Sequence, residues 1–210
     1  MSFIHKKFRY TFNYVVLFIF AINVIVYYLT RSNPWLEANL SLNPVLVIYN
    51  KAYWQFVTYM FVHSSFSHIF WNMFGLLMFG LTVERGIGSK EFLLMYILCG
   101  TLSGFLSFCL YWFTGQSYVF LLGASGAIYS ILFAFSVIYP KADIYIWGII
   151  PIRAPILILV YAVIEVVEQL FFTNNGVAHL THLFGFGVAW LYFLIRMNIN
   201  PIKRWKDTYL

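Results

Sequence analysis

Apolar positions fall in six long runs, at residues 12–29, 66–83, 92–113, 118–139, 154–172 and 177–195, parted by polar breaks. Runs of about 17 to 25 residues match the helix length that crosses a hydrocarbon core about 30 Å thick. Backbone groups in lipid must find hydrogen-bond partners within their own segment, so each run predicts a helix. A membrane β-barrel would need segments of about ten residues that alternate polar and apolar, and these runs are continuously apolar. The pattern predicts an all-α membrane protein: a bundle of six transmembrane helices forming a single domain over residues 1–210. Most breaks are short, including Glu84 to Glu91 and Thr173 to Gly176, but residues 30–65 form a long connection. That segment holds Pro34, Trp35, Pro44, Val45 to Tyr49 and Trp54 to Phe61, too apolar a mixture for a solvated linker. It is expected to lie partly embedded at the membrane interface, where Trp and Tyr settle.

Composition removes the other classes. Of 210 residues 62% are hydrophobic and 10% charged, against about 25% charged in a soluble domain, so neither a soluble nor a disordered chain fits. The net charge of +6 is no sign of nucleic-acid binding, because the basic residues do not gather in one soluble patch. They sort by side instead. Lys6, Lys7, Arg9, Arg85, Lys90, Lys141, Arg153, Arg196, Lys203, Arg204 and Lys206 fall on one side of the six spans, and only Arg31 and Lys51 on the other. Basic residues are retained in the cytoplasm, so both termini are expected there. The first run follows a basic stretch, but it exceeds a secretory signal core and lacks a small-x-small cleavage site, so a retained anchor is expected. Cys99 and Cys109 stand ten residues apart, about 15 Å along a helix, too far for a disulfide.

Against so apolar a background the polar residues carry the information, since each needs a partner or water. His68 and Asn72, at i and i+4, share one face at the start of the second span, as a polar pair bonding across helices would. Gly123-Ala124-Ser125-Gly126 opens the fourth span, with Tyr129 one turn on; by itself such a string also suits close helix packing. His179 and His182 lie three apart at the start of the sixth. Without carboxylate or cysteine companions, and with no His-Glu-x-x-His in the chain, they do not predict a metal site, and no cofactor is called for. In the topology above, spans two, four and six all run inwards from the outer side, so the three groups share one layer. That layer contains the parts of a covalent hydrolase: a hydroxyl, an imidazole able to take its proton, and donors for an oxyanion. No Asp or Glu shares the layer on these three helices, so the expectation is a Ser-His dyad, its imidazole held by packing on Tyr129.

At these residues the chain resembles the rhomboid family of intramembrane serine proteases, from about Tyr53 to Trp190. The resemblance rests on His68-x-x-x-Asn72, on Gly123 to Gly126 as Gly-x-Ser-Gly, and on His182 with Leu183 and Gly185, in that order. It implies a six-helix bacterial-type rhomboid, in the bacterial inner membrane, that cleaves transmembrane protein substrates near the outer membrane face. Ser125 would be the nucleophile and His182 the general base, chosen over His179 because Gly185 follows three residues later. His68, Asn72 and Gly123 would serve the oxyanion hole, with Gly126 and Gly185 in support. The embedded first loop of the family resembles residues 30–65, and its proposed substrate entrance would be the span at 154–172. Two departures stand out: Phe184 and Ala189 replace frequent glycines, and Trp54-Gln55 replaces a frequent Trp-Arg.

Glu165 and Glu168 in the fifth span have no family reading; Glu168 suits an interfacial position, and Glu165 stays open. Gly100, Gly104 and Ser107 make a stripe of small residues suited to packing. Two other functions remain as alternatives: a catalytically silent rhomboid-like scaffold that binds membrane proteins, and a small transporter, which would call for broken helices or internal symmetry. The sequence assigns no oligomeric state.

Overall fold

A computed structural model describes residues 8–146, 148–171 and 178–209. Lys6, Lys7, the Thr173-to-Gly176 break, Phe172 and Val177 lie outside the described residues. The chain is a helical membrane bundle. Helix α1 (Val15–Arg31) is followed by a loop that carries the short helices α2 (Pro34–Leu40), α3 (Pro44–Tyr49) and α4 (Gln55–Thr58). A second crossing runs over Phe66–Ile87 as α5 (Phe66–Gly75), a π-helical stretch Leu76–Gly80, and α6 (Leu81–Ile87). Then come α7 (Ser89–Phe113), α8 (Ser125–Ile138), α9 (Ala154–Phe171), α10 (His179–Ile195) and a terminal α11 (Pro201–Tyr209).

The structure departs from the sequence reading by more than a few residues in two places. The fourth span does not begin at residue 118. Residues 118–124 are non-helical, and Leu121 pairs with Leu42 through two backbone hydrogen bonds of 2.9 Å. Helix α8 therefore has 14 residues and rises only about 21 Å, less than a hydrocarbon core about 30 Å thick. The bundle is also not purely helical, because Asp143–Ile146 (β1) and Ile150–Arg153 (β2) form an antiparallel hairpin between α8 and α9. Ile at every second position, Ile144 and Ile146 on β1 and Ile150 and Ile152 on β2, favours the strands, and Gly148 takes a positive φ of 73° in the turn.

Helix α8 is the axis of the bundle, with ten of its residues buried between α7, α9, α10 and the second crossing. Lipid is faced by the others: Phe18, Ile25, Trp71, Leu93, Val163 and Leu191 are all exposed, the inverse of a soluble surface. The small-residue stripe on α7 receives the loop. A methyl group at Gly100 would lie 2.0 Å from the Met60 sulfur, and one at Gly104 2.6 Å from the Tyr59 ring. Tyr59 also donates its hydroxyl to Gly100 O at 2.7 Å. Fully buried Gln55 closes the loop on itself, accepting Asn43 N–H at 3.0 Å and donating to Asn39 O at 3.0 Å. At the opposite end Glu84 caps α1 by accepting the N–H groups of Val15 and Val16, and Glu91 pairs with Arg196 at 2.9 Å.

Candidate active site

The turn before α8 is built from the loop. Gly123 N–H donates to Tyr59 O at 2.9 Å, and Gly123 takes a φ of 117°, which a side chain would strain. Space forbids one too, because a methyl group there would stand 2.7 Å from Nε2 of His68. Ser125 becomes the first residue of α8, where helix geometry leaves N–H groups without an intrahelical carbonyl and the helix dipole favours negative charge. Gly126 is equally confined, with Ser103 and Thr181 at 3.2 and 3.3 Å from a methyl position. From α10, Gly185 presses on it so closely that a methyl group would lie 2.3 Å from Gly126 O.

That contact brings Ser125 to His182, whose Nε2 is 2.7 Å from the serine Oγ. The imidazole is held on three sides. Tyr129 stacks on it, with ring centroids 4.3 Å apart and planes at 13°. Its Nδ1 lies 2.9 Å from Oε1 of Glu165, and the Tyr129 hydroxyl donates to the same oxygen. An ionised carboxylate only accepts, so Nδ1 carries the ring proton and Nε2 offers its lone pair to Ser125. The other carboxylate oxygen, Oε2, is 2.6 Å from Nδ1 of His179.

Spans two, four and six bring no carboxylate to the layer, as expected, but Glu165 brings one to His182 from α9. The sequence held one signal for it, which is depth. Glu165 lies six residues before the end of α9 and His182 three after the start of α10, about 9 and 4.5 Å along their axes. His179 turns to Glu165 rather than to Ser125. With it, Glu165, His179 and His182 bring their ligand atoms within 4.8 Å of one another, so the histidine pair does have a carboxylate companion for a divalent ion. Glu168 is half-buried.

His68 stands over Gly123, its Nδ1 3.2 Å from Ser64 Oγ. Asn72 is less free than expected, because its Nδ2 donates to His68 O at 2.8 Å, leaving one amide hydrogen for another acceptor. A residue the sequence reading passed over is His63. Its ring meets that of His68 edge-on at 5.0 Å, and its Nε2 accepts Ala124 N–H at 3.5 Å. Burial, then the neighbouring His68, pushes its imidazole down to about 3, so it stays neutral and able to accept that bond.

A family model described as a rhomboid domain matches residues 50–199, from the loop through α10. The chain belongs to the rhomboid family. Among known rhomboids it is 28% identical to the putative rhomboid protease YdcA of Bacillus subtilis, over 81% of this chain and 82% of that one. It is 25% identical to the rhomboid protease GlpG of Haemophilus influenzae, over 71% and 74% respectively. A Caenorhabditis elegans relative, rhomboid-related protein 1, is 25% identical over 75% of this chain but only 45% of its own length, so the chain spans less than half of that protein. As a rhomboid, this chain is an integral membrane protein of a family whose general activity is intramembrane serine proteolysis.

Proposed function

We propose that this rhomboid is an active intramembrane serine endopeptidase that cleaves transmembrane protein substrates near the outer membrane face. The observation that carries the proposal is the 2.7 Å contact between Ser125 Oγ and His182 Nε2, at the head of a helix too short to reach across the bilayer. Ser125 attacks the scissile carbonyl while its proton passes to Nε2, and the imidazolium then gives that proton to the leaving amine. Water, drawing on the same base, hydrolyses the acyl-enzyme. Negative charge on the carbonyl oxygen is met by the Ser125 N–H, with His68 and the remaining hydrogen of Asn72 on the same side and Gly123 keeping the space open. Glu165 is a positioning residue. It keeps the proton on Nδ1, stabilises the imidazolium and, with Tyr129, fixes the ring plane. Tight contact at Gly126 and Gly185 sets the helix spacing.

The reading extends to placement. The protein works as one unit over residues 1–210 in a bacterial inner membrane, with both termini cytoplasmic, as its basic residues suggest. The test is cleavage of a model transmembrane substrate by purified protein, together with labelling by a fluorophosphonate probe. Ser125→Ala and His182→Ala are expected to remove cleavage, and Ser125→Ala to remove labelling, with folding intact. Wild-type protein that neither cleaves nor labels would instead be the silent scaffold.

A further inference from the structure

We propose that Glu165, His179 and His182 form a zinc-binding site, and that an ion bound there switches Ser125 off. Three observations converge. One carboxylate oxygen and one nitrogen from each imidazole lie within 4.8 Å of one another, and both histidines turn Nδ1 to the carboxylate. All three residues are buried, so their side chains are pre-positioned rather than roaming in solvent. Two imidazoles and a carboxylate are a ligand set that suits Zn2+ with one position left open, whereas Mg2+ and Ca2+ select all-oxygen sites. The Tyr129 hydroxyl donates to the same carboxylate and so helps to hold it in place.

In the hydrogen-bonded state His179 Nδ1 and His182 Nδ1 are 2.6 and 2.9 Å from the carboxylate. Tetrahedral zinc with bonds of about 2.0–2.1 Å holds neighbouring donors about 3.3 Å apart, so each histidine nitrogen must draw back from the carboxylate by about half an ångström, while the two nitrogens, which contact different carboxylate oxygens, settle to that spacing from within 4.8 Å. The consequence for chemistry follows from the tautomer. Neutral His182 has one ring proton, on Nδ1 while Glu165 accepts it. Zinc at Nδ1 uses that nitrogen's lone pair, and the proton then resides on Nε2. Nε2–H donates to Ser125 Oγ and has no lone pair to take the serine proton, so the base is lost without any reacting atom being covered. Glu165, engaged by the ion, stops supporting an imidazolium. The inhibitory half rests on the protease reading above; zinc binding itself does not.

The experiment separates the two. Tag-free Ser125→Ala protein in detergent, titrated with Zn2+, is expected to bind one ion per chain, and Co2+ in its place to give the visible absorption of a four-coordinate nitrogen and oxygen site. His179→Gln keeps an amide donor for Glu165 but removes a ligand. Loss of supporting partners alone costs metal sites about 10- to 100-fold in affinity, so His179→Gln and Glu165→Gln are each expected to weaken binding at least about tenfold. In wild type, Zn2+ should stop cleavage and EDTA restore it. For His179→Gln the half-inhibiting Zn2+ concentration, read against that variant's own zinc-free rate, should rise by the same factor. Should His179→Gln not fold, the Co2+ spectrum of Ser125→Ala and its loss on Glu165→Gln decide the site. Absence of stoichiometric binding, binding untouched by the ligand changes, or binding lost only with His68→Ala would overturn the proposal. Zinc binding to wild-type protein that never cleaves would uphold the site and overturn the protease reading. Active enzyme that binds zinc and keeps cleaving would overturn the switch.

Discussion

Glu165 carries more of the site than any other single side chain outside Ser125 and His182. It touches both histidines, accepts from Tyr129, and is the one buried carboxylate on a helix whose other faces are largely exposed and apolar. Replacing Asp by Asn in a soluble triad costs about 10⁴ in kcat, chiefly because the imidazole takes the wrong tautomer. Here the Gln side-chain oxygen can still accept from Nδ1–H and keep the tautomer, while Tyr129 stacking holds the ring plane, so the loss should be smaller. Glu165→Gln is expected to lower kcat by about 10- to 1000-fold with KM unchanged, measured on a transmembrane substrate in detergent. A KM effect alone would mean that Glu165 meets substrate rather than His182. At this scale Ser125, His182, His68 and Tyr129 were legible because a polar group in an apolar run is conspicuous. The Glu165 contact was less so, since its partners sit on a neighbouring helix and no spacing within α9 reports them.

Among the elements, the loop between α1 and α5 does the work of a framework. It supplies Tyr59 O to Gly123, Leu42 to Leu121, and Tyr59 and Met60 to the small stripe of α7. Gln55 closes it. Gln55→Ala would leave the buried N–H of Asn43 without its partner and Asn39 O with only one of its two donors, at a cost of about 1–3 kcal/mol. The expected result is a lower unfolding temperature and a proportional loss of serine labelling, since the loop holds the turn before Ser125. Trp54, whose Nε1 donates to Asn39 O from a largely exposed ring, should matter less. Six helices and an embedded loop could be read from run length and aromatic content. The late start of α8 could not, because the pairing that keeps residues 118–124 out of the helix comes from Leu42, remote in sequence. Hairpin β1–β2 was hidden for another reason: its Ile and Tyr residues look locally like more of an apolar span.

For the whole molecule, the distribution of charge and the depth of the site make one claim about direction. Arg196 pairs with Glu91, and Glu84 caps α1, at the end of the bundle remote from Ser125, where the basic residues collect. A reporter enzyme active only outside the cytoplasm, fused after Leu210, should be silent, and the same reporter inserted at Lys51 should be active; the reverse would place the serine on the cytoplasmic side. Assembly of the bundle also sets how the reacting pair is spaced. Gly126 and Gly185 bring main chain against main chain, so the gap between Ser125 and His182 is gauged by backbone rather than by side chains that can swing aside. A single methyl group at Gly185 would therefore behave as a shim between two rails, widening the working distance of a nucleophile it never touches.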